Sequence, residues 1–140
     1  MSDPRNAAHR VSLKLLCISE SKILMLHLID RHRTLVGGGV DKGESIEIAM
    51  KREFFEETGT ILDDTIIPKL YHVEIEQYDT EGKFSAVANI YYTLYFDKPF
   101  DVILEDGVYS EYRWCTPEEF LSTETHIHLN KEVVIKAMES

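Results

Sequence analysis

The sequence predicts an α+β fold in which a mixed β-sheet lies between helices. Three observations point there. Strand-length runs, apolar or alternating, fall before, between and after the helical segments; two main segments carry helical spacing; and no stretch rich in Pro, Gly or Ser divides the chain. With 140 residues and 44% hydrophobic content, the chain suits a single domain spanning 1–140, its polar residues 1–10 forming a flexible N-terminal segment.

Residues 11–18 are rich in apolar side chains and end at Ser19, Glu20 and Ser21, after which residues 22–28 form a second apolar run, so the pair reads as a β-hairpin. A polar, arginine-bearing link follows at 30–34, and the glycines at 37, 38 and 39 are expected to break regular structure. Ser45 is placed to cap a helix that runs to about Thr58, and Gly59 to end it. Residues 70–78 alternate Tyr71, Val73 and Ile75 with His72, Glu74 and Glu76, and 84–96 are β-branched and aromatic, which together predict a long antiparallel hairpin. A short strand is expected over 111–115. Thr116, Pro117 and Glu119 then stand in the order of an N-cap, an N1 proline and a capping-box glutamate, with Phe120 and Leu121 as the apolar side of that helix. Asn130 is placed to cap a last helix, in which Val133 and Val134 recur with Ala137 and Met138.

Charge and composition narrow the function. The formal net charge of −10 opposes attraction to a nucleic-acid backbone, so no nucleic-acid polymer is expected as partner. A small nucleotide or polyphosphate remains compatible if metal ions screen the carboxylates. Residues 1–10 lack the apolar region of a secretory signal, and the longest apolar runs are too short to span a bilayer, so a cytoplasmic protein without a membrane partner is expected. Cys17 and Cys115 show no metal-ligand spacing and read as reduced core thiols. Monomer and homodimer are equally open.

The most informative stretch runs from Gly38 through Glu44 to Arg52, Glu53, Phe54, Phe55, Glu56, Glu57, Thr58, Gly59 and Thr60. With about 100° per residue and Ile46 as origin, Ala49 lies at about −60°, Met50 at about +40°, Glu53 at about −20° and Glu57 at about +20°, with Glu56 at about −80°. The carboxylates thus continue the stripe that begins as the apolar side, whereas an ordinary amphipathic helix would put them opposite, where Phe55 falls. Carboxylates at these spacings repel, and a hard divalent cation reverses the balance because Mg2+ or Mn2+ prefers oxygen ligands.

This spacing resembles the signature of the Nudix hydrolases, Gly-x5-Glu-x7-Arg-Glu-aliphatic-x-Glu-Glu-x-Gly-aliphatic. The resemblance implies an α/β/α sandwich and a divalent-metal-dependent pyrophosphohydrolase, with Mg2+ or Mn2+ as cofactor. The bond cleaved would be a phosphoanhydride in a nucleoside diphosphate linked to another group. A nucleoside triphosphate or related nucleotide is the leading substrate; dinucleoside polyphosphates, ADP-ribose and nucleotide sugars are alternatives. A nucleotide-binding module without catalysis is the alternative from another class. Three positions depart from the pattern: Val36 stands where proline is common, Phe54 at the aliphatic place, and Thr60 at the closing one, where Ile61 is expected to supply the packing.

Individual roles follow. Glu53, Glu56 and Glu57 are the expected metal ligands, and the resemblance adds a backbone carbonyl at Gly37. Arg52 can reach Glu56 one turn away and orient it. Glu44, beside the helix start, can accept backbone N–H groups and is expected to be structural, as are Gly38 and Gly59. Gly38 and Gly39 let the backbone approach a phosphate closely. Glu111, just before Tyr112, Arg113 and Trp114, is the expected general base, with Glu105 the other outside carboxylate. Arg31 and Arg33 are candidates to meet substrate phosphates, as is Arg113, and the resemblance adds Tyr78 as a substrate-binding candidate, since its spacing after the motif is similar to that of the dinucleoside polyphosphate subgroup. His126 and His128 read as loop histidines.

Overall fold

Strand β1 (His9–Ser19) organises the sheet, and its burial on both faces explains its near-continuous apolar sequence. The computed structural model describes residues 9–29, 32–77, 86–125 and 129–140. Arg31, Tyr78, His126 and His128 lie outside the described residues. The remaining elements are β2 (Lys22–Leu28), β3 (Arg33–Thr34), β4 (Val36–Gly39), α1 (Ile46–Thr58), β5 (Lys69–Gln77), β6 (Ala86–Tyr95), β7 (Tyr109–Cys115), α2 (Pro117–Ser122) and α3 (Lys131–Glu139). β1 thus takes in His9 and Arg10, the last two residues of the polar N-terminal segment.

The seven strands form one mixed sheet, with β3-β2-β1-β6-β5 as its main path, β4 paired to β1 and β7 to β2. β1 and β6 run parallel from His9↔Ala86 to Ile18↔Tyr95, while the other pairings are antiparallel. The first hairpin turns through Glu20 and Ser21, both with positive φ, as a two-residue turn that suits strand twist requires. β1 and β2 then stay paired only at Ile18↔Ile23 and Ser19↔Lys22 before they part. The following chain fills the fork: β3 pairs with β2 at Leu26↔Thr34, and β4 pairs with β1 from Ser12↔Gly39 to Leu15↔Val36.

Helices cover both faces. Leu13, Leu15 and Cys17 of β1 point towards α1 and pack with Ala49, Met50 and Phe54. Leu16 and Ile18 point the other way, to Phe120 of α2 and Val133, Val134 and Ala137 of α3. Each fully buried Leu or Phe in these layers contributes about 1.5–3 kcal/mol. α2 starts with the expected capping box, in which Thr116 and Glu119 satisfy each other's backbone N–H groups, and Asn130 caps α3 by accepting from Val133.

Five expectations change. The glycines at 37–39 do not interrupt the sheet but form β4, because bare backbone can lie flat against β1. The link expected over 30–34 contains the short strand β3, which pairs with the freed part of β2. Ile46, taken as the centre of the buried stripe, is 37% exposed; it lies in the helix's first turn, and Met50 and Phe54 mark the true centre. Ile61 is exposed and Leu62 replaces it in the core, while Leu121 is exposed beside the buried Phe120.

β5 reverses the ordinary sense of its alternation. Tyr71, Val73 and Ile75 are exposed, whereas His72, Glu74 and Glu76 are half-buried. Their side chains are held by partners: Glu74 accepts from Tyr91 and from Asn130 Nδ2 at 3.0 Å and meets His72, and Glu76 accepts from Asn89 Nδ2 at 2.8 Å. Hydrogen bonding offsets the desolvation of these carboxylates. Among the described residues no helix is long and apolar enough to cross a membrane.

Candidate active site

Helix α1 delivers the motif. Ser45 accepts the N–H of Ile48 at 3.2 Å, and Gly59 ends the helix at φ 72° with its N–H on the Phe55 carbonyl. Thr58 Oγ1 donates to the Phe54 carbonyl at 2.7 Å, so the last turn is closed from inside. Glu57 is 5% exposed, the Glu53 side chain 13% and that of Glu56 46%, so only Glu56 faces water freely.

Arg52 organises the acidic side. Its Nε and Nη2 grip both oxygens of Glu44 at 2.6 and 2.8 Å, its Nη1 donates to Glu53 at 2.7 Å, and Nη2 donates to the Gly39 carbonyl at 3.0 Å. Glu56, the partner expected from sequence, is the looser contact at 3.4 Å. Glu44 also accepts the N–H of Asp41 at 2.8 Å, which ties the loop before α1 to the helix through Arg52. Hydrogen bonds from Arg52, then Asp41, hold Glu44 down at a pKa of about 2, and Glu44 and Glu53 keep Arg52 firmly protonated.

The buried carboxylates have the opposite tendency. Desolvation pushes Glu57 well above the usual carboxylate value; the Gly37 N–H at 3.0 Å and the Tyr109 hydroxyl partly offset this, while Glu53 and Glu105 add to it. Burial likewise raises Glu53, against the guanidinium of Arg52, with Glu56 and Asp41 adding repulsion. Two desolvated acids side by side are costly as they stand.

Three consecutive glycines make this crowding possible. A Cβ on Gly37 would sit 2.0 Å from the Leu13 carbonyl oxygen, one on Gly38 would sit 2.5 Å from the Glu53 carboxylate, and one on Gly39 would sit 2.6 Å from the Arg10 guanidinium. Glu53 therefore lies over one face of β4 and Arg10 over the other. On the Arg10 side the fork between β1 and β2 opens a cavity of about 320 Å3 lined by Arg10, Ser12, Lys14, Thr34, Gly37, Gly38 and Tyr109 among others. Burial pulls the Lys14 ammonium down, and Glu76 and Glu57 counteract it.

The structure thus brings together Glu53, Glu56, Glu57, Arg52, Glu44 and the glycines, with Glu105 near enough to Glu57 to repel it. Glu111 sits apart from this group in its contacts: its carboxylate accepts from Arg33 at 3.1 Å and meets His27 Nδ1 at 3.1 Å, and these partners lower its pKa. Arg33 is engaged in that pair, and Arg113 is paired with Glu119. Arg10, Lys14 and Tyr109 went unnoticed in the sequence. Polar Ser12 and Lys14 within an otherwise apolar strand were the available signal.

Among the described residues no three Asp, Glu, His or Cys side chains form a ready metal-ligating group. The donor chemistry nevertheless fits a hard divalent cation, since Glu53 and Glu57 are desolvated oxygen donors, with Glu53 raising the pKa of Glu57 and the exposed Glu56 raising that of Glu53.

Comparison with known proteins bears on the family and the fold. The sequence model described as NUDIX domain matches residues 8–136. A protein of Salmonella arizonae named nucleoside triphosphatase NudI is 32% identical over 111 residues, which cover 74% of this chain and 75% of that one. Two solved structures share the fold at a TM-score of 0.75. The E. coli dihydroneopterin triphosphate pyrophosphohydrolase is 16% identical and is matched over 92% of this chain and 94% of its own. The NUDIX domain of Shewanella oneidensis NrtR, solved with ADP ribose, is 15% identical, with coverage of 99% and 92%.

Proposed function

The chain belongs to the Nudix family, and from that premise we propose that it is a divalent-metal-dependent pyrophosphohydrolase whose substrate is a nucleoside triphosphate or a closely related nucleotide. One observation carries the reading: desolvated carboxylates lie on one side of the bare strand β4, and Arg10 and Lys14 line a cavity of about 320 Å3 on the other. The identity with a protein named nucleoside triphosphatase supports the substrate class.

Glu53, Glu56 and Glu57 would hold the cation, Mg2+ or Mn2+, with the Gly37 carbonyl as an added ligand. Bound there, the metal would polarise phosphate oxygens and acidify water. The chain's own residues do the rest. Arg10 and Lys14 attract the phosphates, Gly38 and Gly39 let them lie close to the backbone, and Arg52 fixes Glu53 through its simultaneous grip on Glu44 and Gly39. Glu111 was the base expected from sequence, but its pairing with Arg33 and His27 favours Glu105, which is near enough to Glu57 to repel it, as the outside carboxylate that takes a proton from water.

A mass-spectrometric screen over nucleoside triphosphates, ADP-ribose, nucleotide sugars and dinucleoside polyphosphates tests the reading. Expected are Mg2+-dependent release of pyrophosphate or phosphate from a nucleotide, and loss of turnover by orders of magnitude in Glu56→Gln and Glu57→Gln with the fold intact. Glu105→Gln is expected to cost much more turnover than Glu111→Gln; the reverse order returns the base to Glu111. Full activity in EDTA or in either motif variant sinks the mechanism. Ligand-induced stabilisation without product across the whole panel indicates a binding module instead.

A further inference from the structure

Strand β5 closes the sheet path at one edge: among the described residues it pairs only with β6, in unbroken register from His72↔Tyr91 to Gln77↔Ala86. Leu70, Val73 and Ile75 are 61, 51 and 55% exposed. They stand opposite Tyr92, Ile90 and Ala88 of β6, and since Ile90 and Tyr92 pack against the α1-side core, the row lies on that face of the sheet. α1 itself packs over β4, on the far side of β1 from β6, and leaves the row bare. Exposed apolar side chains along a sheet edge mark a place where another chain is met. The carboxylates of β5 do not guard it, because Glu74 and Glu76 turn to the opposite face, where Tyr91, Asn130 and Asn89 hold them.

We propose that β5 is the contact strand of a homodimer, in which it pairs antiparallel with β5 of a second copy about a two-fold axis at Val73. Self-complementarity selects this occupant. The strand carries Lys69 at its start and Glu74 and Glu76 towards its end, so an antiparallel copy sets opposite charges side by side, whereas a parallel one would set like against like. With Val73 opposite its own copy, Tyr71 falls opposite Ile75 and His72 opposite Glu74, and the two-fold axis repeats each pair. The sheet then continues through the dimer, and the backbone groups of the open edge gain partners. An edge pairing buries less than a standard interface, so the dimer is weak, with a dissociation constant of roughly micromolar size.

Sedimentation velocity on the full chain, from micromolar to submillimolar concentration, is expected to show a monomer–dimer equilibrium. Added NaCl should tighten it, because two chains of net charge −10 repel each other and salt screens that repulsion. Val73→Lys sets like charges against each other across the axis and should raise the dissociation constant about tenfold or more. Val73→Thr keeps the β-branched shape, should weaken the dimer by a smaller factor, and reads the contact if the lysine variant does not fold. Leu121→Lys, on the exposed side of α2, is the control and should change nothing. Val73→Cys tests the register: its Cβ atoms would lie about 4.5–5.5 Å apart, within reach of a disulfide after a small adjustment, so mild oxidation should cross-link it. Leu121→Cys should not cross-link, and the native Cys17 and Cys115 are buried. A chain that stays monomeric throughout overturns the proposal. So does a dimer that Val73→Lys leaves intact, or one in which Val73→Cys cross-links no faster than Leu121→Cys.

Discussion

At the scale of single residues, Gly37 and Gly38 stand next to each other yet fail for different reasons when a side chain is added. Gly37 has φ 151° and its Cβ would strike backbone, so Gly37→Ala should cost about 2–4 kcal/mol of stability, read by urea unfolding. A Cβ on Gly38 strikes only the tip of Glu53, which can move aside. Gly38→Ala should therefore fold almost normally and lose turnover by about a hundredfold, the scale on which a misplaced catalytic group acts. Unchanged turnover would mean that Glu53 is not part of the machinery. Glu57 makes a second claim, through pH. Its native pKa is raised above the ordinary 4.5, so its desolvation cost is absent below about that pH and grows as pH rises through the native value. Glu57→Gln removes that cost. Without metal, the variant should melt higher than wild type at pH 8, and the two melting temperatures should converge towards pH 4.5. Glu44 has the opposite sign: its contribution is complete above 4.5 and is lost as pH falls towards about 2.

At the scale of elements, α1 was legible because its signals are local. Ser45, the carboxylate spacing and Gly59 all act within one or two turns, and each is where the sequence put it. Ser45→Ala should remove about 1 kcal/mol and lower Tm by about 2–4 °C while leaving turnover at 25 °C unchanged, since Glu53 lies two turns beyond the frayed end. A large loss of turnover would show that the first turn positions the site. β4 was not legible, because glycine's local preference is to break structure and only the open edge of β1 makes three glycines a strand. β5 misleads for a related reason: its polar side chains are sheltered by Tyr91, Asn89 and Asn130, which are far away in sequence.

At the scale of the whole molecule, one sheet separates two cores, and β1 contributes alternate side chains to each. Cys17 belongs to the α1 side and Cys115 to the α2–α3 side, so the two free thiols cannot meet, and burial raises both pKa values. Ellman's reagent should leave the native protein unlabelled and titrate two thiols after denaturation; fast native labelling would contradict the burial of both. The fork where β1 and β2 part is also a property of the whole. It admits β3 and β4, places Arg10 and Lys14 across β4 from the carboxylates, and makes the cavity. The sequence by itself determined the layered α+β architecture, the capped helix and the acidic stripe, because periodicity, caps and short-range charge repulsion are written in neighbouring residues. Only the tertiary structure decided that Arg52 grips Glu44 and Glu53 more tightly than Glu56, and that Glu111 is paired with Arg33 while Glu105 lies near enough to Glu57 to repel it. Those contacts join residues on different elements, and which of them meet depends on how the strands part and pack.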